Sequence, residues 1–199
     1  MNQSDDKKLE LLYSHYGDTF SVIQSLVKTR DRFFISILVL LAVMSFQIAQ
    51  PTESGSVILE FARTKLGVHG TVSISFLGSV LWAALLFVIV RYFQVTVYLE
   101  RQYRYIHALE AELSPFYSGV PFTREGKFYL ADYPWFSAWV ARLYAWAFPA
   151  GLVFAASLKI ASEARLPHAS PLPMAADAVI YGLLVVATVL YVLHVLLKK

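Results

Sequence analysis

The sequence predicts an all-α integral membrane protein with four transmembrane helices and cytosolic helical extensions. Three observations carry that prediction. First, the 199-residue chain is 57% hydrophobic and 16% charged, with a mean hydropathy of +0.54, whereas a soluble domain is about 45–50% apolar and about 25% charged. Second, the apolar excess is gathered into four charge-free runs, 33–52, 70–90, 143–158 and 178–197. Three of them have the ~20 residues a bilayer requires. The run at 143–158 is shorter, but Arg142 and Lys159 at its ends have stems long enough to snorkel. Third, the stretch from Thr71 passes Arg91 and meets no further Gly or Pro before Ser114-Pro115. One helix is therefore expected to serve as both membrane span and stalk. The whole chain, 1–199, is expected to form a single four-helix membrane domain. Its spans fall at about 33–50, 71–91, 143–161 and 177–197, with cytosolic helical regions at 5–32 and 92–133.

Charge placement sets the expected topology. Thirteen of the 17 Lys and Arg residues fall before span one, between spans two and three, or after span four. Arg63, Lys65, Lys159 and Arg165 make up the other side. The positive-inside rule then places both termini in the cytoplasm. The N-terminus does not read as a secretory signal, because Met1–Glu10 is polar and the first apolar run is late and long. A bacterial inner membrane is the default location. The absence of cysteine excludes disulfides, thiolate zinc sites and thiol chemistry.

Ser4 is placed to cap the first helix, with Asp5 and Asp6 in its positive first turn. Leu9, Leu12, Tyr16, Phe20, Ile23 and Val27 recur at steps of three and four and so share one helical face. The opposite side is mixed in charge and poor in Lys and Arg, which suits a partner helix better than a bilayer surface. The cytosolic end of the 71–113 helix is the nearest partner. Lys28-Thr29-Arg30-Asp31-Arg32 reads as a topology anchor or as a contact for anionic lipid.

Pro51 ends span one and opens an external segment with a short amphipathic helix built on Val57, Ile58, Phe61, Ala62 and Leu66. In span two, Ser75, Gly78 and Ser79 are small enough for close helix approach, a weak pointer to an oligomer interface. Beyond the span, Tyr98, Arg101 and Tyr105 share a face, and Glu100 and Arg104 are spaced for an i,i+4 pair. Alternating basic and aromatic residues can bind single-stranded nucleic acid. An aromatic belt followed by a packed cytosolic helix explains them more simply, and no direct nucleic-acid binding is expected.

Residues 116–133 form a loop with turn signals at Ser118-Gly119, Pro121 and Gly126, followed by an aromatic run to Trp135. Trp135, Trp139, Tyr144 and Trp146 mark the interface of span three. Pro149 is expected to kink that span. A second external loop, Glu163 to Met174, is stiffened by Pro167, Pro171 and Pro173, and Asp177 follows at the start of span four.

No catalytic constellation is present. There is no phosphate-binding glycine loop, zinc-protease helix motif or nucleophile elbow. The five histidines, His15, His69, His107, His168 and His194, lie on different segments and on both predicted sides of the membrane. Neither a metal nor an organic cofactor is expected, nor is enzymatic activity. The span interiors are read as free of ionisable groups, with Arg91, Arg142, Lys159, Asp177 and His194 at boundaries, which counts against a proton-coupled transporter.

Three segments, 13–20 (YSHYGDTF), 98–107 (YLERQYRYIH) and 123–127 (TREGK), together with the four-span layout, resemble small membrane proteins of prokaryotic anti-phage defence loci, among them the membrane subunit of the Kiwa system. The resemblance implies a partnership with a cytosolic DNA-binding effector and a role in sensing phage at the envelope. The leading expectation is a non-enzymatic sensor or scaffold that forms a homo-oligomer among membrane lipids and recruits a cytosolic effector. Arg101, Arg104, His107, Arg124, Glu125 and Lys127 are the candidate partner surface. Two rivals remain: an oligomeric pore that permeabilises the membrane, and an accessory subunit of a larger membrane enzyme.

Overall fold

A computed structural model describes residues 3–66, 74–116, 135, 139–140, 143–165 and 171–197. The described residues form the α-helices α1 (Gln3–Ala49), α2 (Pro51–Leu66), α3 (Ile74–Leu113), α4 (Phe148–Glu163) and α5 (Pro171–Leu196). A short 3₁₀ turn, Ser114–Phe116, closes α3, and a π-helical turn, Leu143–Ala147, leads into α4. Among the described residues there is no strand. Among the described residues, four helical stretches are long and apolar enough to cross a membrane, Asp6–Ala49, Ser75–Phe116, Leu143–Glu163 and Pro171–Leu196. The chain is a multi-pass helical membrane protein.

The first and third helices are far longer than a bilayer is thick. The 47 residues of α1 extend about 70 Å at ~1.5 Å per residue, and the 40 of α3 about 60 Å. A hydrocarbon core of about 30 Å takes up ~20 residues of each, so the remainder must lie outside it. The chain accordingly separates into two compact units, 1–32 with 92–141, and 33–91 with 142–199. Both α1 and α3 contribute to each unit.

In the first unit, the N-terminal part of α1 packs on the C-terminal part of α3, as the apolar stripe of α1 predicts. Leu12 meets Leu109 and Leu113, with Leu9, Tyr16 and Phe116 against them. Ile23 meets Leu99 and Ile106, with Tyr16, Phe20, Leu26 and Val27 around them. The helix–helix alternative to a surface-lying amphipath is the one adopted.

In the second unit, each span buries one stripe. Ile37 and Met44 are buried on α1, and Trp82, Leu85 and Ile89 on α3. The buried set continues with Leu152 and Ala156 on α4, and Leu184, Thr188 and Tyr191 on α5. Phe34 joins α1 to the third span through ring contacts with Tyr144 at 5.4 Å and Phe148 at 5.1 Å. The outer faces carry large apolar side chains, including Val39, Phe87, Phe154, Val179 and Leu190. An apolar exterior on every span fits lipid and not water.

Pro149 stands just after the π-helical turn 143–147, with Ala147 before it also helical. Two expectations are corrected. Pro171 and Pro173 are not loop residues but lie in the first turn of α5, where their missing N–H groups have no intrahelical partner to lose. Asp177 is therefore not at a helix start. It lies in the seventh position of α5 and is buried.

Candidate functional site

The first candidate is the surface of the α1–α3 helix pair. Packing Leu99, Ile106, Leu109 and Leu113 inward turns Tyr98, Arg101, Arg104 and Tyr105 outward, and all four are exposed. The predicted shared face of Tyr98, Arg101 and Tyr105 is thus present. His107 differs. Its Nδ1 is hydrogen-bonded with Glu110 Oε2 at 3.2 Å within the same helix, and its side chain is only 25% exposed. Glu110 is itself buried, and its other oxygen, Oε1, has no hydrogen-bond partner. Arg101 and Arg104 are displayed to solvent, while His107 is tied to its own helix. Arg124, Glu125 and Lys127 lie outside the described residues, as do the turn signals of the 117–134 segment. The Ser4 cap is corrected: α1 already begins at Gln3, so Ser4 falls inside the helix and not at the position before it.

The second candidate was not apparent in the sequence. In the second unit, α3, α4 and α5 bring a polar cluster together among their apolar stripes. Lys159 and Glu163 are one helical turn apart on α4, and Lys159 Nζ lies 3.0 Å from Glu163 Oε1. The Nε1–H of Trp82 on α3 donates to Glu163 Oε2 at 3.0 Å. Ser79, one turn before Trp82, lies beside Asp177 of α5, while its hydroxyl donates to the Ser75 carbonyl at 3.3 Å. One turn beyond Asp177, the Tyr181 hydroxyl meets Ser157 Oγ on α4 at 2.8 Å. Because Ser157 spends its own proton on the Val153 carbonyl at 2.7 Å, Tyr181 is the donor. The Trp82 and Tyr181 rings meet edge to face at 6.2 Å.

Burial makes this cluster unusual. Lys159 and Asp177 are 7% and 5% exposed, and the side chain of Glu163 is 16% exposed. The reading of the spans as free of ionisable groups is corrected here. Lys159 turns its ammonium into the chain toward Glu163 and does not snorkel outward, because a carboxylate one turn away is the better partner inside an apolar bundle. The small residues of span two are also used within the chain. Gly78 is buried beside Glu163, whose Oε1 would lie 3.9 Å from an added Cβ, and the Ser79 hydroxyl donates to the Ser75 carbonyl. The clue in the sequence was Lys-x-x-x-Glu at 159–163 followed by a lone Asp after a short break, which an α-hairpin folds onto one level.

The arrangement holds no set of three or more His, Cys, Asp or Glu groups that would bind a metal among the described residues. No family model, curated protein or solved structure matches the chain.

Proposed function

We propose that this chain is a non-enzymatic membrane scaffold or sensor, working as a homo-oligomer in a prokaryotic anti-phage defence system, and that its helical stalk holds a cytosolic effector at the inner membrane. One observation carries the reading. About half of α1 and half of α3 are spent on a helix pair that bilayer crossing does not require, closed by two apolar clusters and showing Tyr98, Arg101, Arg104 and Tyr105 outward. Aromatic and arginine side chains are the types most enriched where one protein grips another. The stalk's charge also fits. The segments flanking it hold most of the basic residues of the chain, which favours the cytoplasmic side for both termini and for the stalk. The defence context rests on the resemblance of the 13–20, 98–107 and 123–127 segments.

Native mass spectrometry of the full-length protein, extracted gently from its host membrane, tests the proposal. The expected result is a symmetric homo-oligomer carrying a soluble protein, with the soluble protein lost and the oligomer kept in the R101E/R104E variant. A bare homo-oligomer that conducts ions in liposomes would overturn the scaffold in favour of a pore. A lone monomer would overturn both.

A further inference from the structure

The cluster at Lys159, Glu163 and Asp177 is short of one positive charge. Lys159 supplies one, and Glu163 and Asp177 supply two negatives when ionised. The pairing is also lopsided. Glu163 has both oxygens engaged, one by Lys159 at 3.0 Å and the other by Trp82 at 3.0 Å. Asp177 has Ser79 as its polar neighbour on α3, but the Ser79 hydroxyl donates to the Ser75 carbonyl, and Asp177 Oδ1 is buried with no hydrogen-bond partner. An acceptor oxygen enclosed in an apolar bundle without a donor is costly, and an uncompensated charge there more so.

A metal ion does not suit the vacancy. Hard cations such as calcium take six to eight oxygen ligands, and Asp177 Oδ1 is the one side-chain oxygen here with nothing bound. A proton needs only that oxygen. We propose that Asp177 is a reversible proton-binding site, loaded on Oδ1 from the side of the membrane at which α3 enters. The step forms one O–H bond with a proton from water and breaks none in the protein. It leaves a neutral acid beside a compensated Lys159–Glu163 pair. The groups that act on Asp177 are accounted for: Ser79 from α3, and Lys159 and Glu163 from α4, with Tyr181 one turn along its own helix turned to Ser157. The proton removes the charge that α5 presents to Lys159 and Glu163 of α4, so its presence or absence is an input to the membrane bundle. This inference stands apart from the scaffold reading, since it requires no partner and no oligomer.

Infrared difference spectroscopy of the full-length protein in lipid nanodiscs, titrated from about pH 4 to 9 across the carboxyl range, reads the site directly. The expected result is one carboxylic-acid C=O stretch that appears and disappears reversibly with pH. It should be lost in Asp177→Asn, which keeps the shape of the side chain, and retained at a displaced frequency in Asp177→Glu. Asp177→Glu preserves both charge and hydrogen-bonding chemistry, so it assigns the band even if the amide variant fails to fold. A wild-type protein with no titrating acid band, or a band unaltered in frequency by both substitutions, overturns the proposal.

Discussion

Replacing Lys159 with Met tests whether the polar cluster is as enclosed as its geometry indicates. Methionine is close to lysine in length and shape, so the variant removes the charge and little of the packing. It leaves Glu163, 16% exposed, without its cation and with only the Trp82 N–H. Removing one partner of a buried ion pair costs about 3–5 kcal/mol, because the stranded charge keeps its full desolvation penalty. An exposed pair at the same spacing would cost about 0–1 kcal/mol. The double variant K159M/E163Q removes both charges of the pair while its amide oxygen still accepts the Trp82 hydrogen bond, so most of the loss should return. The coupling energy from the cycle is expected to be ~2 kcal/mol or more in favour of the pair. Equilibrium unfolding of the four proteins by SDS in mixed micelles, followed by circular dichroism, supplies the numbers. A K159M cost below ~1 kcal/mol with additive effects, typical of exposed pairs, would mean that water reaches the pair, and would refute the reasoning.

Three further outcomes follow from the packing and the charge distribution. Ile106, 1% exposed in the cluster with Ile23 and Leu99, should cost about 2–5 kcal/mol of local stability when cut to Ala, seen as faster amide exchange in 9–30 and 95–113 with the spans unchanged. Gly78→Ala should be tolerated or gain up to ~1 kcal/mol of helix propensity, since the new methyl meets Glu163 Oε1 at an ordinary 3.9 Å; a loss of oligomer on this change would instead assign the position to an intermolecular contact. The chain has no cysteine, so single cysteines at the exposed Lys8 and Glu60 report topology cleanly. A membrane-impermeant maleimide should label E60C in intact spheroplasts and K8C only after lysis.

The parts of the fold legible in the sequence are those set by local periodicity. Leu9, Leu12, Tyr16, Phe20, Ile23 and Val27 lie on one stripe by spacing alone, and a stripe of that kind must be covered. The only comparably long charged helix nearby was the end of α3, so its partner could be named. The spans were legible because composition over ~20 residues leaves few alternatives. The prolines misled because Pro171 and Pro173 punctuate a loop and open a helix equally well, and which of these holds depends on where the first hydrogen-bonded turn forms.

The polar cluster was illegible for a different reason. Lys159, Glu163 and Asp177 each sit near the edge of a hydrophobic run, and a hydropathy reading treats a charge at an edge as lying in the headgroups. Whether it lies there depends on azimuth. Lys159 is three residues from Ala156 and seven from Leu152, so it continues the buried stripe of α4; Asp177 is seven from Leu184 and continues that of α5. A charge in phase with the core stripe points into the bundle whatever its depth, and in lipid it must then find partners among the neighbouring helices. Trp82 satisfies the same test: it is three residues from Leu85, seven from Ile89, and aimed at Glu163. Phase relative to the apolar stripe, and not distance from the end of the run, is therefore the property that separates a snorkelling anchor from a buried site in this chain. By the same test His194, three residues beyond the buried Tyr191, is in phase with the stripe of α5, and its Nε2 is a buried atom. The C-terminal end of α5 thus follows the rule read from its N-terminal end.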